Sequence, residues 1–305
     1  LFMILFTPFI ILKFFFDYFL VTAGAAQLGL FSSLLGGIVN IILDYIFIVK
    51  LNMGIRGAAI ATCIGYAIPS FIGVFYFLNK NHTLHCVKPK LTFDVIANCC
   101  YNGYSEMITQ ISNCITTFVY NIVLIKLLGE DGVTAYSIIF NTAIIIIAVF
   151  NGICQTIQPL ISVNIGAGEK ERVECFKKIA IVTAIILGIL SYIICIVFPE
   201  EIVRIFVKPT DKVLSIAVNS INIYAVAFVV TGVNMVLGAF FQSVEEAKYS
   251  FIIAICRGLL LVSVAVIILP IFMGINGVWV SVPVAEAITF IIGIMLTLKM
   301  RTRKI

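Results

Sequence analysis

Apolar residues run through this chain in long blocks separated by short polar stretches. Nine blocks stand out, at roughly 1–21, 28–49, 57–79, 96–127, 133–163, 176–198, 216–241, 250–272 and 275–298. Each holds about 20 or more mostly apolar residues, the length a helix needs to cross a hydrocarbon core. None alternates with period two, as the strands of a membrane barrel would. Open sheet is excluded there because lipid offers no partner to a free N–H or C=O. The blocks at 96–127 and 133–163 exceed the bilayer thickness, so those helices must tilt or extend beyond it. The pattern predicts an all-α, polytopic membrane protein with about nine transmembrane helices.

The polar residues inside these blocks are spaced as on helix faces. Glu106, Gln110, Asn113, Thr117 and Asn121 follow one another at steps of four and three, which puts them on one slowly drifting face. Asn151, Gln155, Gln158 and Ser162 repeat the spacing in the next block, where Pro159 interrupts the helical hydrogen bonding. Gly37, Asn40 and Asp44 form a third, shorter face. A charge at the centre of a membrane helix costs about 2.5–3.5 kcal/mol on insertion scales, so ionisable residues there are functional candidates. Glu106 leads, as a carboxylate heading a polar stripe that suits a water-filled cavity. Asp44 beside Asn40 is a second buried carboxylate, able to exchange between protonated and ionised or cation-bound forms and so to couple transport to an ion gradient.

Gln110, Asn113, Thr117, Asn151, Gln155 and Gln158 are read as cavity lining for organic ligands. Hydrogen bonding between helices stays open as a second reading of the amides on the block with Pro159. Lys13 and Asp17, at i and i+4, are expected to neutralise each other. Arg257 is expected to snorkel to the cytoplasmic interface. Glu286, after Pro283, lies deeper, with structural and functional roles equally open.

Composition supports the same class. The chain is 62% hydrophobic and 11% charged over 305 residues, with a mean hydropathy of +1.16. Soluble domains average about 25% charged residues, so an ordinary soluble enzyme, a nucleic-acid binder and a disordered chain are excluded. The nine cysteines are scattered, mostly in apolar runs, and are read as small helix residues rather than a disulfide framework. His82, His85 and Cys86 form a weak zinc pattern in a basic connector that reads more simply as an interfacial loop. No phosphate-binding loop or dinucleotide fingerprint is present, so energy must come from an ion gradient or a partner.

Twelve Lys and Arg residues lie on one set of connections, including 80–90, 170–178 and 299–304, against six on the alternate set. That bias places the connector at 81–95 and the C-terminus in the cytoplasm. Residues 1–80, the connector 81–95 and residues 96–305 are thus read as the end of one helical bundle, a cytoplasmic linker and a second bundle.

The chain also repeats itself. Met53-Gly-Ile-Arg-Gly57 and Met273-Gly-Ile-Asn-Gly277 stand 220 residues apart, each between two spans. Spans one to three and seven to nine are read as copies in the same orientation, a parallel repeat.

Three stretches carry a family resemblance. They are Ser32–Gly36 through Asn40–Asp44 and Met53–Thr62; Gly152 through Gln155, Gln158-Pro159, Ser162, Asn164 and Gly166-Ala167; and Arg257-Gly258, Gly274–Trp279 and Pro283–Glu286. Taken together the chain resembles the multidrug and toxic compound extrusion (MATE) transporters, in particular the subgroup with a Glu in its seventh helix, here Ser105-Glu106. The resemblance implies two six-helix bundles around a central cavity, of which this chain would hold helices four to twelve. About 130 residues, or three helices, are then expected to precede Leu1.

The resemblance also implies export of organic, often cationic, compounds in exchange for Na⁺ or H⁺. Glu106 would be the cation-linked carboxylate of the second bundle, with Na⁺ as a candidate ion there, and Asn40 and Asp44 would be the polar site of the first. The acidic position expected on helix ten is unfilled, with Asn234 nearest. No resident cofactor, metal or nucleic acid is expected. The expected partners are small organic solutes and the lipid bilayer, around a monomer in a bacterial-type plasma membrane. A flippase for lipid-linked oligosaccharides would need clustered cationic residues in the cavity, and an integral-membrane lipid enzyme would need acidic or His clusters at the interface; neither pattern is seen.

Overall fold

The computed structural model describes residues 2–82, 84–88, 92–207 and 210–303. Lys90, Lys208 and Lys304 of the charge count lie outside the described residues. Every regular element among those described is helical. A single turn, Phe2–Leu5, precedes α1 (Thr7–Thr22). Then come α2 (Ala26–Lys50), α3 (Gly54–Leu78), α4 (Phe93–Leu128), α5 (Glu130–Gly166) and α6 (Lys170–Val197). They are followed by the short α7 (Pro199–Phe206), α8 (Asp211–Ser243), α9 (Ala247–Met273) and α10 (Ile275–Arg303). Eight of these are long and apolar enough to cross a membrane. The first apolar block is instead broken at Phe6, and with Pro8 near its start α1 keeps 16 residues. The stretch after 198, expected to be a loop, contains α7, whose acidic first turn and apolar Ile202, Val203, Ile205 and Phe206 make it amphipathic.

The exposed face of α6 shows why this fold belongs in lipid. Ile179, Ile186, Leu190 and Val197 are about half exposed, at 57%, 59%, 49% and 58%, along one helical stripe. In water such a surface is unfavourable by about 25 cal/mol per Å². In a hydrocarbon core it costs nothing, so the protein is an integral membrane protein.

The chain falls into two compact units, residues 1–91 and 92–305. In the first, α3 packs on both α1 and α2. Phe16 and Phe77 stack at 5.5 Å in its small core. Gly36 of α2 lies so close to α3 that an added Cβ would stand 2.5 Å from the Gly65 carbonyl. Small residues let membrane helices approach in this way. In the second unit α8 is central and touches α5, α6, α9 and α10. Its core holds Tyr120, Phe150, Phe228, Phe240, Phe241 and Trp279.

The 220-residue repeat is visible in the backbone. Gly54 and Gly274 both adopt positive φ, 55° and 58°, at the start of α3 and α10. Gly57 and Gly277 each abut the end of the preceding helix, Phe47 in one case and Leu269 in the other. Gly73 faces Phe16 of α1, and Gly293 faces Leu237 of α8, which lies at the position after Phe16 in the copy.

Candidate functional site

In the first unit the face read from sequence lies on α2. Asn40 and Asp44 are half-buried and one turn apart. The side chain of Asn40 rests on α3 at Gly65, where a Cβ would meet that of Asn40 at 2.9 Å. Asn40 Nδ2 and Asp44 Oδ1 are both buried and both lack a hydrogen-bond partner. Asp44 immediately precedes a π-helical turn, Tyr45–Lys50, a local irregularity that recurs at functional sites. Asp17 behaves differently. Lys13 Nζ stands 2.6 Å from its carboxylate, as the i, i+4 spacing predicts, and the Ser33 hydroxyl donates to it at 3.4 Å.

In the second unit α4 carries two polar faces. The first is the predicted stripe. Glu106, Gln110 and Asn113 are exposed on the unit's surface, and Gln110 Nε2 donates to Glu106 Oε1 at 2.9 Å. Lower down, Thr117 donates to the Asn113 carbonyl and Asn121 to the Thr117 carbonyl. The second face turns inward. Ser105 Oγ accepts from Gln242 Nε2 at 3.0 Å and meets Ser250 Oγ at 3.2 Å. Thr116 Oγ1 donates to the Gly258 carbonyl at 2.6 Å, and the Tyr120 hydroxyl bonds Ser281.

The α5 residues divide. Asn151 is exposed and Gln155 half-buried. Gln158 turns toward α8, where its Nε2 donates to Gln242 Oε1 at 2.7 Å, and Ser162 donates to the Ser243 carbonyl. Gln158, Gln242 and Ser105 thus tie α5, α8 and α4 together.

A further cluster, not assembled from the sequence, joins α8, α9 and α10. Arg257 Nε donates to Glu286 Oε1 at 2.7 Å, and Asn234 Nδ2 donates to Glu286 Oε2 at 2.6 Å. Glu286 is 4% exposed and Asn234 1%. Arg257 therefore does not snorkel. A buried carboxylate within hydrogen-bond reach satisfies the guanidinium better than extending past apolar neighbours to the interface would. The available signal was the presence of single polar residues on three successive spans, none with a partner at i±3 or i±4.

In the connector, His82 stacks on Tyr76 at 4.0 Å and His85 Nδ1 lies against the His82 carbonyl. Among the described residues no three His, Cys, Asp or Glu side chains gather to hold a metal.

Among the described residues, no cationic side chain forms an ion pair with Asp44 or Glu106, whereas Asp17 and Glu286 each have one. An all-helical membrane fold with polar faces and two carboxylates of this kind defines a membrane protein with candidate ion sites, not a catalytic centre. The MatE family model matches residues 107–267, more than half of the chain, and the chain belongs to that family.

The multidrug export protein MepA of Staphylococcus saprophyticus is 24% identical over 99% of the chain. A solved structure of a multidrug resistance MATE family transporter of the MOP superfamily, in an outward-facing conformation, superposes with a TM-score of 0.84 at 23% identity and covers 91% of the chain. A MOP superfamily transporter from Pyrococcus furiosus, described as having a binding pocket of reverse polarity, matches with a TM-score of 0.84 at 24% identity, again over 91% of the chain. The chain spans 66% of the staphylococcal relative's length and 63% of each of these two structures.

Proposed function

We propose that this chain is the greater part of a secondary active transporter that exports organic, often cationic, compounds in exchange for Na⁺ or H⁺ by alternating access. It is a transport protein and not an enzyme. Membership of the MatE family and the naming of its staphylococcal relative as a multidrug export protein support the reading.

The observation that carries it is the contrast among the span carboxylates. Lys13 neutralises Asp17 and Arg257 neutralises Glu286, while Asp44 and Glu106 have no cationic side chain. A carboxylate in a membrane span without a protein cation must take a proton or a metal cation, or bear the cost of a bare charge in a low dielectric. Alternate occupancy of such a group from the two sides of the membrane links an ion gradient to export. In this reading Glu106 is the coupling carboxylate of the second unit, with Asn40 and Asp44 the coupling pair of the first. Gln110, Asn113, Thr117, Asn151 and Gln155 offer neutral donors and acceptors to varied substrates, while Gln158 serves mainly to join helices. The C-terminus lies in the cytoplasm, in accord with the charge bias of the connections.

The test is purified full-length protein in liposomes loaded with a fluorescent organic cation, under an imposed Na⁺ or H⁺ gradient. Cation movement that follows one of these gradients and stops when the gradient is collapsed is expected. Absence of movement under both would overturn the reading.

A further inference from the structure

The Asn234–Arg257–Glu286 cluster has no counterpart in the first unit. The positions 220 residues upstream of Asn234, Glu286 and Arg257 are Phe14, Tyr66 and Gly37. There the two rings lie 6.5 Å apart, and the glycine borders open space. The same helix arrangement is therefore built in one copy from an aromatic pair and in the other from a carboxylate, an amide and a guanidinium. A buried ion pair gains little over apolar packing of similar volume, so packing alone does not account for the charged version.

Two details give the cluster the chemistry of a cation site. Glu286 supplies carboxylate oxygens, and Asn234 Oδ1 is fully buried without a hydrogen-bond partner. Together these are the oxygen donors a hard cation takes. Arg257 supplies the positive charge and is held in place by its backbone. It lies in a π-helical turn, Cys256–Leu260. Within that turn the Gly258 carbonyl accepts from Thr116 of α4, and a Cβ at Gly258 would stand 2.7 Å from that of Ser112. The other titratable groups in electrostatic reach of Arg257 are Tyr224 of α8 and Cys154 of α5, and Cys154 is also within reach of Glu106.

We propose that Arg257 is a tethered counter-cation occupying a carboxylate–amide site in the second unit. While the pair stands, Glu286 takes no free cation; without the guanidinium, Glu286 and Asn234 bind a monovalent cation. This goes beyond the transport reading and does not depend on which ion drives export.

The experiment measures binding of radiolabelled Na⁺ to the purified full-length protein at alkaline pH. Glu286→Gln alone is expected to leave Na⁺ binding unchanged. Arg257→Gln is expected to bind about one more Na⁺ per chain than the parent, because an unpaired buried carboxylate favours a neutralising partner. The gain is expected to vanish in Arg257→Gln/Glu286→Gln and to be absent in Arg257→Lys. A folded Arg257→Gln protein with the parent Na⁺ count overturns the proposal. Loss of parent Na⁺ binding in Glu286→Gln also overturns it, and that arm decides the matter if Arg257→Gln does not fold. Failure of gradient-driven transport by the parent protein would refute the transport reading while leaving the Na⁺ count to stand.

Discussion

Gln158 of α5 donates its amide N–H to Oε1 of Gln242 on α8 at 2.7 Å, and Gln242 in turn donates to Ser105 of α4 at 3.0 Å. A neutral relay of this kind holds three helices together where apolar contact with lipid competes equally well with apolar contact between helices. Gln242→Leu is expected to lower stability by about 1 kcal/mol, near the usual strength of hydrogen bonds between membrane helices. The double variant Gln158→Leu/Gln242→Leu should lose less than the sum of the two single changes. Thermal unfolding in detergent measures both, and strictly additive losses would show that the bond contributes nothing.

Glu106 is exposed on its unit and bonds only Gln110 among the described side chains. Glu106→Gln should therefore fold and express normally while losing gradient-driven export in liposomes. Normal coupled transport by this variant would remove Glu106 from the coupling role.

Lys13 and Asp17 are each 18% exposed and form a 2.6 Å ion pair within α1. Lys13→Met leaves Asp17 unpaired in an apolar segment, a loss of about 2.5–3.5 kcal/mol if the carboxylate stays charged. Lys13→Met/Asp17→Asn removes both charges and should recover much of that loss. Yield of folded protein after membrane extraction tests the order, and equal yields would show that the pair carries no weight.

The glycines divide by what surrounds them. At Gly277 an added Cβ would lie 2.4 Å from the Leu269 backbone, which cannot yield as a flexible side chain can. Gly277→Ala should cost about 1–3 kcal/mol, as overpacking commonly does. Gly103 and Gly152 sit in helices with open space around them. Gly103→Ala and Gly152→Ala should each stabilise the helix by about 0.5–1 kcal/mol. Unfolding midpoints of the three variants check the contrast.

Helical spans, their order and the 220-residue repeat were all legible in the residues, because each rests on local chemistry. Twenty consecutive apolar residues admit only a helix in lipid, and Gly54 and Gly274 mark backbone turns that side-chain-bearing residues rarely adopt. The pairing of Lys13 with Asp17 was legible for the same reason, since both lie on one face of one helix. Arg257, Glu286 and Asn234 were each visible as polar residues in apolar runs, but not as a cluster. Their partners lie 29 and 52 positions away on other helices. Helix rotation and tilt, which bring those atoms within 3 Å of one another, follow from packing around α8. Gln158 shows the same limit. Its spacing placed it on a polar face of α5, but only the position of α8 decided that this face turns toward Gln242.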